Sequence, residues 1–157
     1  VSFVARLRSE LIAVSPPWRT FEDTIRGLAA CLAAARLLPT AAEQAAVEAV
    51  VAREAEASTA LLDIGVGVPH APLAGITRPI VALGLSSEGL YEAVPTVSIR
   101  IVALVLSPPG SGADHLRLLS GIATLLRSTD LRARLLAARD GSEALASLRG
   151  HARVSPV

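Results

Sequence analysis

Lysine is absent: all 15 basic residues of this 157-residue chain are arginine. That excludes a lysine nucleophile, a Schiff base and the lysine of a phosphate-binding P-loop. Cysteine occurs once, at Cys31, so no disulfide can close within the chain and a thiolate metal cluster lacks ligands. Cys31 sits in an Ala/Leu-rich stretch, where packing is the expected role. Aromatic residues make up 3%, which leaves few rings to stack on a base or a sugar. No apolar run reaches the roughly 18 residues of a membrane span. Arg6, Arg8 and Glu10 interrupt the N-terminal apolar residues, so no signal-peptide core is present. A soluble, cytoplasmic protein is expected. The net charge is +1, and the arginines are scattered, with no dense patch for nucleic acid.

What is present is aliphatic: 52% hydrophobic residues, much of it Ala, Val and Leu. The length suits one domain with its own core. The reading is a single domain over 1–157, its core at about 20–148, with a lead segment over 1–19 and a frayed tail over 150–157. Within the lead, Leu11 to Val14 suggests a short strand, and Ser15-Pro16-Pro17-Trp18 a breaker. Thr20 reads as an N-cap, with Asp23 three residues on. Ile25, Leu28, Leu32 and Ala35 form the apolar face of a first helix that Pro39 stops. Thr40 and Glu43 form a T-x-x-E capping box for a second helix, through Val47, Val50 and Val51 to about Ala57.

The pattern then turns to strands. Leu61–Ile64 and Gly65–Val68 read as a strand pair or one interrupted strand, and Pro69, with no N–H, ends the extended pairing. Ile80 to Leu85 is a clear strand. Val97 to Leu106 is the strongest, a buried central strand closed by Pro108-Pro109-Gly110. A third helix begins near Asp114, with Leu116, Leu119, Ala123 and Leu126 on its apolar face. A fourth starts near Asp130, and a short one follows Ser142. The order indicates an α/β domain, one sheet flanked by helices. Gly65-Val66-Gly67 lacks the third glycine and the following helix of a dinucleotide fingerprint.

Three histidines remain to be placed. His151 lies in the tail and reads as a surface residue. His70 follows a strand and a proline, in Gly67-Val68-Pro69-His70, so its backbone is held and its aim is fixed. Loops at strand ends of α/β sheets are also where sites gather. His115 stands at a helix N-terminus, whose field disfavours imidazolium and keeps the ring neutral. Arg53 closes a helix just before Ser58 and Thr59. An arginine fork, two hydroxyls, two histidines and a helix N-terminus are the parts of an anion site.

These residues resemble a family pattern. Arg53-Glu54, Ser58-Thr59 and Gly65-Val66-Gly67-Val68-Pro69-His70-Ala71 are similar to the R-E-x-x-x-S-T and G-(I/V)-A-(I/V)-P-H-(A/G) motifs. Those motifs belong to enzyme IIA domains of the phosphoenolpyruvate-dependent sugar phosphotransferase system, of the mannitol, fructose and nitrogen-regulatory type. His115-Leu116-x-Leu118-Leu119 is similar to the H-L-x-L-L helix start of that family, and Ser107-Pro108 also match. The resemblance runs from about Thr20 to Leu148. Two departures stand out: Gly67 replaces the usual Ala, and Pro72 stands where Arg or Lys is common. The segment Glu92 to Ser98 also lacks the usual polar-Gly turn.

The resemblance implies a mixed sheet with helices on both faces. It implies that His70 accepts a phosphoryl group from the phosphocarrier HPr and donates it to a IIB domain, usually on a cysteine. His115 would orient or stabilise the phosphoryl group, and Arg53, with Ser58 and Thr59, would hold phosphate. No cofactor or metal is implied, and the membrane is involved only through a transporter. A phosphorylation-dependent nitrogen-type regulator, acting on a target protein, is slightly favoured over a transport component because no IIB or IIC segment accompanies the domain. The alternative is a non-catalytic regulatory binding module of the same fold, appended to a transporter or regulator. A metal site on His70 and His115 lacks a third ligand and makes a poor zinc set.

Overall fold

The structure is a computed structural model describing residues 2–154. Its centre is β8 (Ile101–Ser107), seven consecutive buried residues. On one side β8 pairs antiparallel with β5 (Ile80–Leu85), itself buried throughout, and β5 pairs parallel with β1 (Ile12–Val14). On the other side β8 pairs parallel with both β3 (Val66–Gly67) and β4 (His70–Pro72), and β2 (Ala60–Leu61) closes the edge antiparallel to β3. The result is a mixed six-stranded sheet. A near-continuous apolar run suits such a central strand because both of its faces are covered.

α2 (Phe21–Ala34) and α3 (Glu43–Glu56) pack on each other and against β5 and β4. α4 (Gly112–Leu126), α5 (Thr129–Ala137), α6 (Gly141–Val154) and the short α1 (Phe3–Arg6) form a second group, against β8, β1 and β5. Ile25, Leu28 and Leu32 from α2 and Leu83, Leu104 and Leu106 from the sheet are fully buried in one continuous core. Each such side chain contributes about 1.5–3 kcal/mol by leaving water. No helix among the described residues is long and apolar enough to cross a membrane.

Several expectations hold. Thr20 caps α2, its Oγ1 accepting from the N–H of Asp23 at 3.0 Å. β1 and β5 stand where short and clear strands were read. Others need correction. The first helix ends at Ala34, before Pro39, where Arg36 takes φ 62° and reverses the chain. Thr40 does not cap α3: a 3-10 turn over Thr40–Ala42 intervenes, and no side chain caps either start. Val97 to Leu106 is two strands. β7 (Val97–Ile99) pairs with β6 (Tyr91–Val94) in a separate ribbon that the sequence reading missed. At Arg100 the backbone N–H turns instead to the carbonyl of Gly65.

Pro69 interrupts the pairing without ending it. The strand resumes at His70, and the Pro69 carbonyl still accepts from the N–H of Val105 at 3.0 Å. α4 presents a different face from the one expected: Leu118, Ile122, Leu125 and Leu126 are buried, whereas Leu116 is 66% exposed. The lead segment joins the core through Phe3, Leu7 and Leu11. α6 runs 14 residues and carries His151 within it.

Candidate functional site

β8 and β4 end together, with Pro72 in register with Ser107 and His70 with Val105. β4 is tied to β8 at both ends: Pro69 accepts from Val105, and the N–H of Leu73 donates to the Ser107 carbonyl at 2.8 Å. His70 is therefore mounted on backbone held on both sides of it. Its Nδ1 lies 2.8 Å from the Val68 carbonyl oxygen. A carbonyl only accepts, so Nδ1 carries a proton, and in the neutral ring the lone pair is on Nε2.

Beyond Ser107 the chain turns through Pro108-Pro109-Gly110, and the Ser111 hydroxyl donates to the Pro108 carbonyl at 2.7 Å. α4 starts at Gly112 and brings His115 round one turn later. The His115 ring lies 5.2 Å from that of His70, centroid to centroid, with the planes inclined at 59°. Its Nδ1 is 2.6 Å from Oγ of Ser107. Ser107 is 3% exposed and His115 half-buried, and the bond between them orients the imidazole.

Arg53 closes the arrangement from the last turn of α3. Together with His70, Pro72, Ser107, His115 and the Pro108–Gly112 turn, it lines a hollow of about 210 Å³. That is room enough for a small anion. The electrostatics agree. His115 is pushed below the ordinary imidazole value, first by burial, then by the neighbouring His70 and the Arg53 guanidinium. It is thus held neutral beside a cation and at the start of a helix, where anions are favoured.

Ser58 and Thr59 occupy a different position. They are not among the residues lining the hollow. Both hydroxyls donate to Glu54, Ser58 to Oε2 at 3.1 Å and Thr59 to Oε1 at 2.7 Å, and the Thr59 N–H donates to Oε2 at 2.9 Å. The Arg-Glu pair at the end of α3 thus divides: Arg53 faces the hollow, and Glu54 clamps the chain entering β2. Ser107 was read as part of a motif, and nothing in the sequence assigned it to His115. Its signal was a polar residue ending an otherwise wholly apolar strand.

The molecule is thus an α/β domain whose mixed sheet brings two histidines and an arginine to one small hollow. Residues 6–150 match the family described as phosphoenolpyruvate-dependent sugar phosphotransferase system, EIIA 2. The chain is 33% identical over 130 residues to the fructose-specific EIIA component of this system in Haloferax volcanii, covering 82% of each chain. Its fold is that of the nitrogen regulatory protein IIA-Ntr from Neisseria meningitidis, with TM-score 0.78 at 21% identity, over 92% of this chain and 97% of that one. The mannitol IIA of Escherichia coli, solved in complex with phosphorylated enzyme IIB, has TM-score 0.74 at 19% identity, over 96% and 99%. The chain belongs to the EIIA 2 family of the phosphotransferase system.

Proposed function

We propose that this domain is a cytoplasmic phosphoryl carrier that takes a phosphoryl group from phosphorylated HPr onto Nε2 of His70. It then passes the group to a IIB domain or uses it to regulate a target protein. One observation carries the reading: the 2.8 Å bond of Nδ1 to the Val68 carbonyl leaves Nε2 as the free nucleophile of a ring that also borders an anion-sized hollow.

In the forward step the Nε2 lone pair attacks the phosphorus of the donor phosphohistidine. A new N–P bond forms as the bond to the donor nitrogen breaks, and the donor ring leaves with its electron pair. Transfer of this kind needs positioning and charge stabilisation more than covalent chemistry from the host. Arg53 supplies a fixed cation for the phosphoryl oxygens. In the tautomer in which the Ser107 hydroxyl donates to Nδ1 of His115, Nε2 of His115 holds a proton and offers a neutral donor to the same oxygens. Onward transfer reverses the geometry, with a nucleophile of the partner, usually a cysteine thiolate, displacing His70. Leu116, 66% exposed next to His115, gives a partner an apolar contact beside the reacting atoms.

The test is incubation with phosphoenolpyruvate, the first enzyme of the system and HPr, followed by intact mass measurement under alkaline conditions. One acid-labile phosphoryl group is expected, absent in His70→Ala. Stoichiometric uptake by His70→Ala would overturn the assignment. So would no uptake by the wild type from its cognate, demonstrably phosphorylated HPr.

A further inference from the structure

Tyr91 has a buried hydroxyl with no hydrogen-bond partner among the described residues. Tyr91 is 7% exposed, so its O–H has given up water for nothing in return. A buried unsatisfied group in a folded protein calls for a reason. Phenylalanine would fill the same space without the penalty. The ring itself is well held, packed edge-on against Phe21 with centroids 5.1 Å apart and planes at 81°.

The hydroxyl meets Gly67. A Cβ built on Gly67 would lie 2.6 Å from the Tyr91 oxygen, closer than such atoms approach. The oxygen thus occupies the place where any other residue of β3 would carry a side chain. Gly67 is the last residue of β3, and Val68 follows directly, the residue whose carbonyl holds Nδ1 of His70. β3 has only two residues paired to β8, so its seating depends on what presses on it from the side.

We propose that Tyr91 is a positioning residue for phosphoryl transfer: its hydroxyl, set against Gly67, fixes the strand end that holds the Val68 carbonyl on the His70 ring. This rests on His70 being the phosphoryl acceptor. The β6–β7 ribbon thereby becomes part of the site's support, although none of its residues lines the hollow.

Two single variants and their combination test it, each followed by thermal melting, by the rate of phosphoryl uptake, and by ¹⁵N NMR of the His70 ring nitrogens. Tyr91→Phe removes the oxygen and leaves the ring. It is expected to melt no lower than wild type, yet to accept phosphate about tenfold more slowly, as loss of sub-ångström alignment does. Its His70 ring is expected to show a smaller share of the Nδ1-protonated form. Gly67→Ala forces a collision with the hydroxyl and is expected to lose more rate. Gly67→Ala with Tyr91→Phe removes that collision, and recovery of rate above Gly67→Ala alone is the signature of direct contact. Tyr91→Phe with wild-type uptake and an unchanged ring would overturn the proposal, and so would effects that simply multiply in the double variant. If the wild type takes up no phosphate on His70, the carrier reading fails separately. The role in transfer then falls with it, and the ¹⁵N signature, which needs no phosphoryl donor, decides the structural link alone: whether the Tyr91 hydroxyl holds the Val68 carbonyl on the His70 ring.

Discussion

Nδ1 of His70 sits 2.8 Å from the carbonyl of Val68, two residues earlier in its own chain. The bond spans Pro69, whose ring limits the backbone between the two groups. The proline and the clamp of β4 on β8 are what make so local a contact dependable.

Phosphorylation should therefore be confined to Nε2. A ¹⁵N-labelled sample phosphorylated through HPr should show phosphorus coupling to Nε2 alone, with Nδ1 remaining protonated. His70→Ala should lose uptake entirely while melting close to the wild type, because His70 is only half-buried. Coupling to Nδ1 would mean that the Val68 bond breaks on the way to the transition state.

Ser107 is expected to act through His115. Ser107→Ala removes the 2.6 Å bond to Nδ1 and leaves the imidazole free to turn. Uptake onto His70 should persist, and onward transfer should fall about tenfold, the scale of one lost positioning contact. His115→Ala should show the same pattern, uptake possible and onward transfer impaired. Because Ser107 and His115 act as one unit, the double variant should be little worse than His115→Ala, a coupling that a double-mutant cycle on transfer rate measures.

The lowered proton affinity of His115 gives a definite pH dependence. In the unfolded chain this imidazole titrates near the ordinary value of about 6.5, and in the folded protein below it. The unfolded state therefore binds the proton first as pH falls. Stability contributed by neutral His115 is complete above the unfolded value, is lost as pH drops below it, and levels off below the folded value. His115→Gln should flatten that part of the stability profile in denaturant titrations. Arg53→Ala should move the His115 midpoint upward, since its guanidinium is one of the groups that lowers it. That change is readable from the ring carbon protons by NMR. The same variant should slow uptake and make the rate less sensitive to salt.

Much of the frame was legible because it rests on local rules. Ile80 to Leu85 is unbroken apolar sequence and became a strand buried on both faces. Thr20 with Asp23 declared a helix start, and a proline and a helix N-terminus singled out His70 and His115, which the fold brings to one hollow. What escaped notice depends on contacts distant in sequence. Tyr91 to Val94 has no strong alternation and becomes a strand only by pairing with Val97 to Ile99. Arg100 breaks the run at Val97–Leu106 because Gly65, at φ 65°, offers its carbonyl from another part of the sheet. The α4 face was misread because Leu and Ala recur so densely there that two helical phases fit. Packing against the sheet chose the one that leaves Leu116 outside.

Ser58 and Thr59 offer the sharpest separation between a phosphate-binding role and a structural one. As free donors near the site they would stabilise bound phosphate, and their loss would slow uptake. Their hydroxyls are instead already committed to the Glu54 carboxylate, which ties the end of α3 to the start of β2. Thr59→Val should lower stability by about 1 kcal/mol, the usual net value of such a bond, and Ser58→Ala by less, since Ser58 is exposed. Glu54→Gln should reproduce the Thr59→Val loss by weakening all three bonds at once. Uptake rates should stay within about twofold of wild type in the two hydroxyl variants. A tenfold drop in uptake with unchanged melting, in either of them, would show that the hydroxyl leaves Glu54 for the phosphoryl group during transfer.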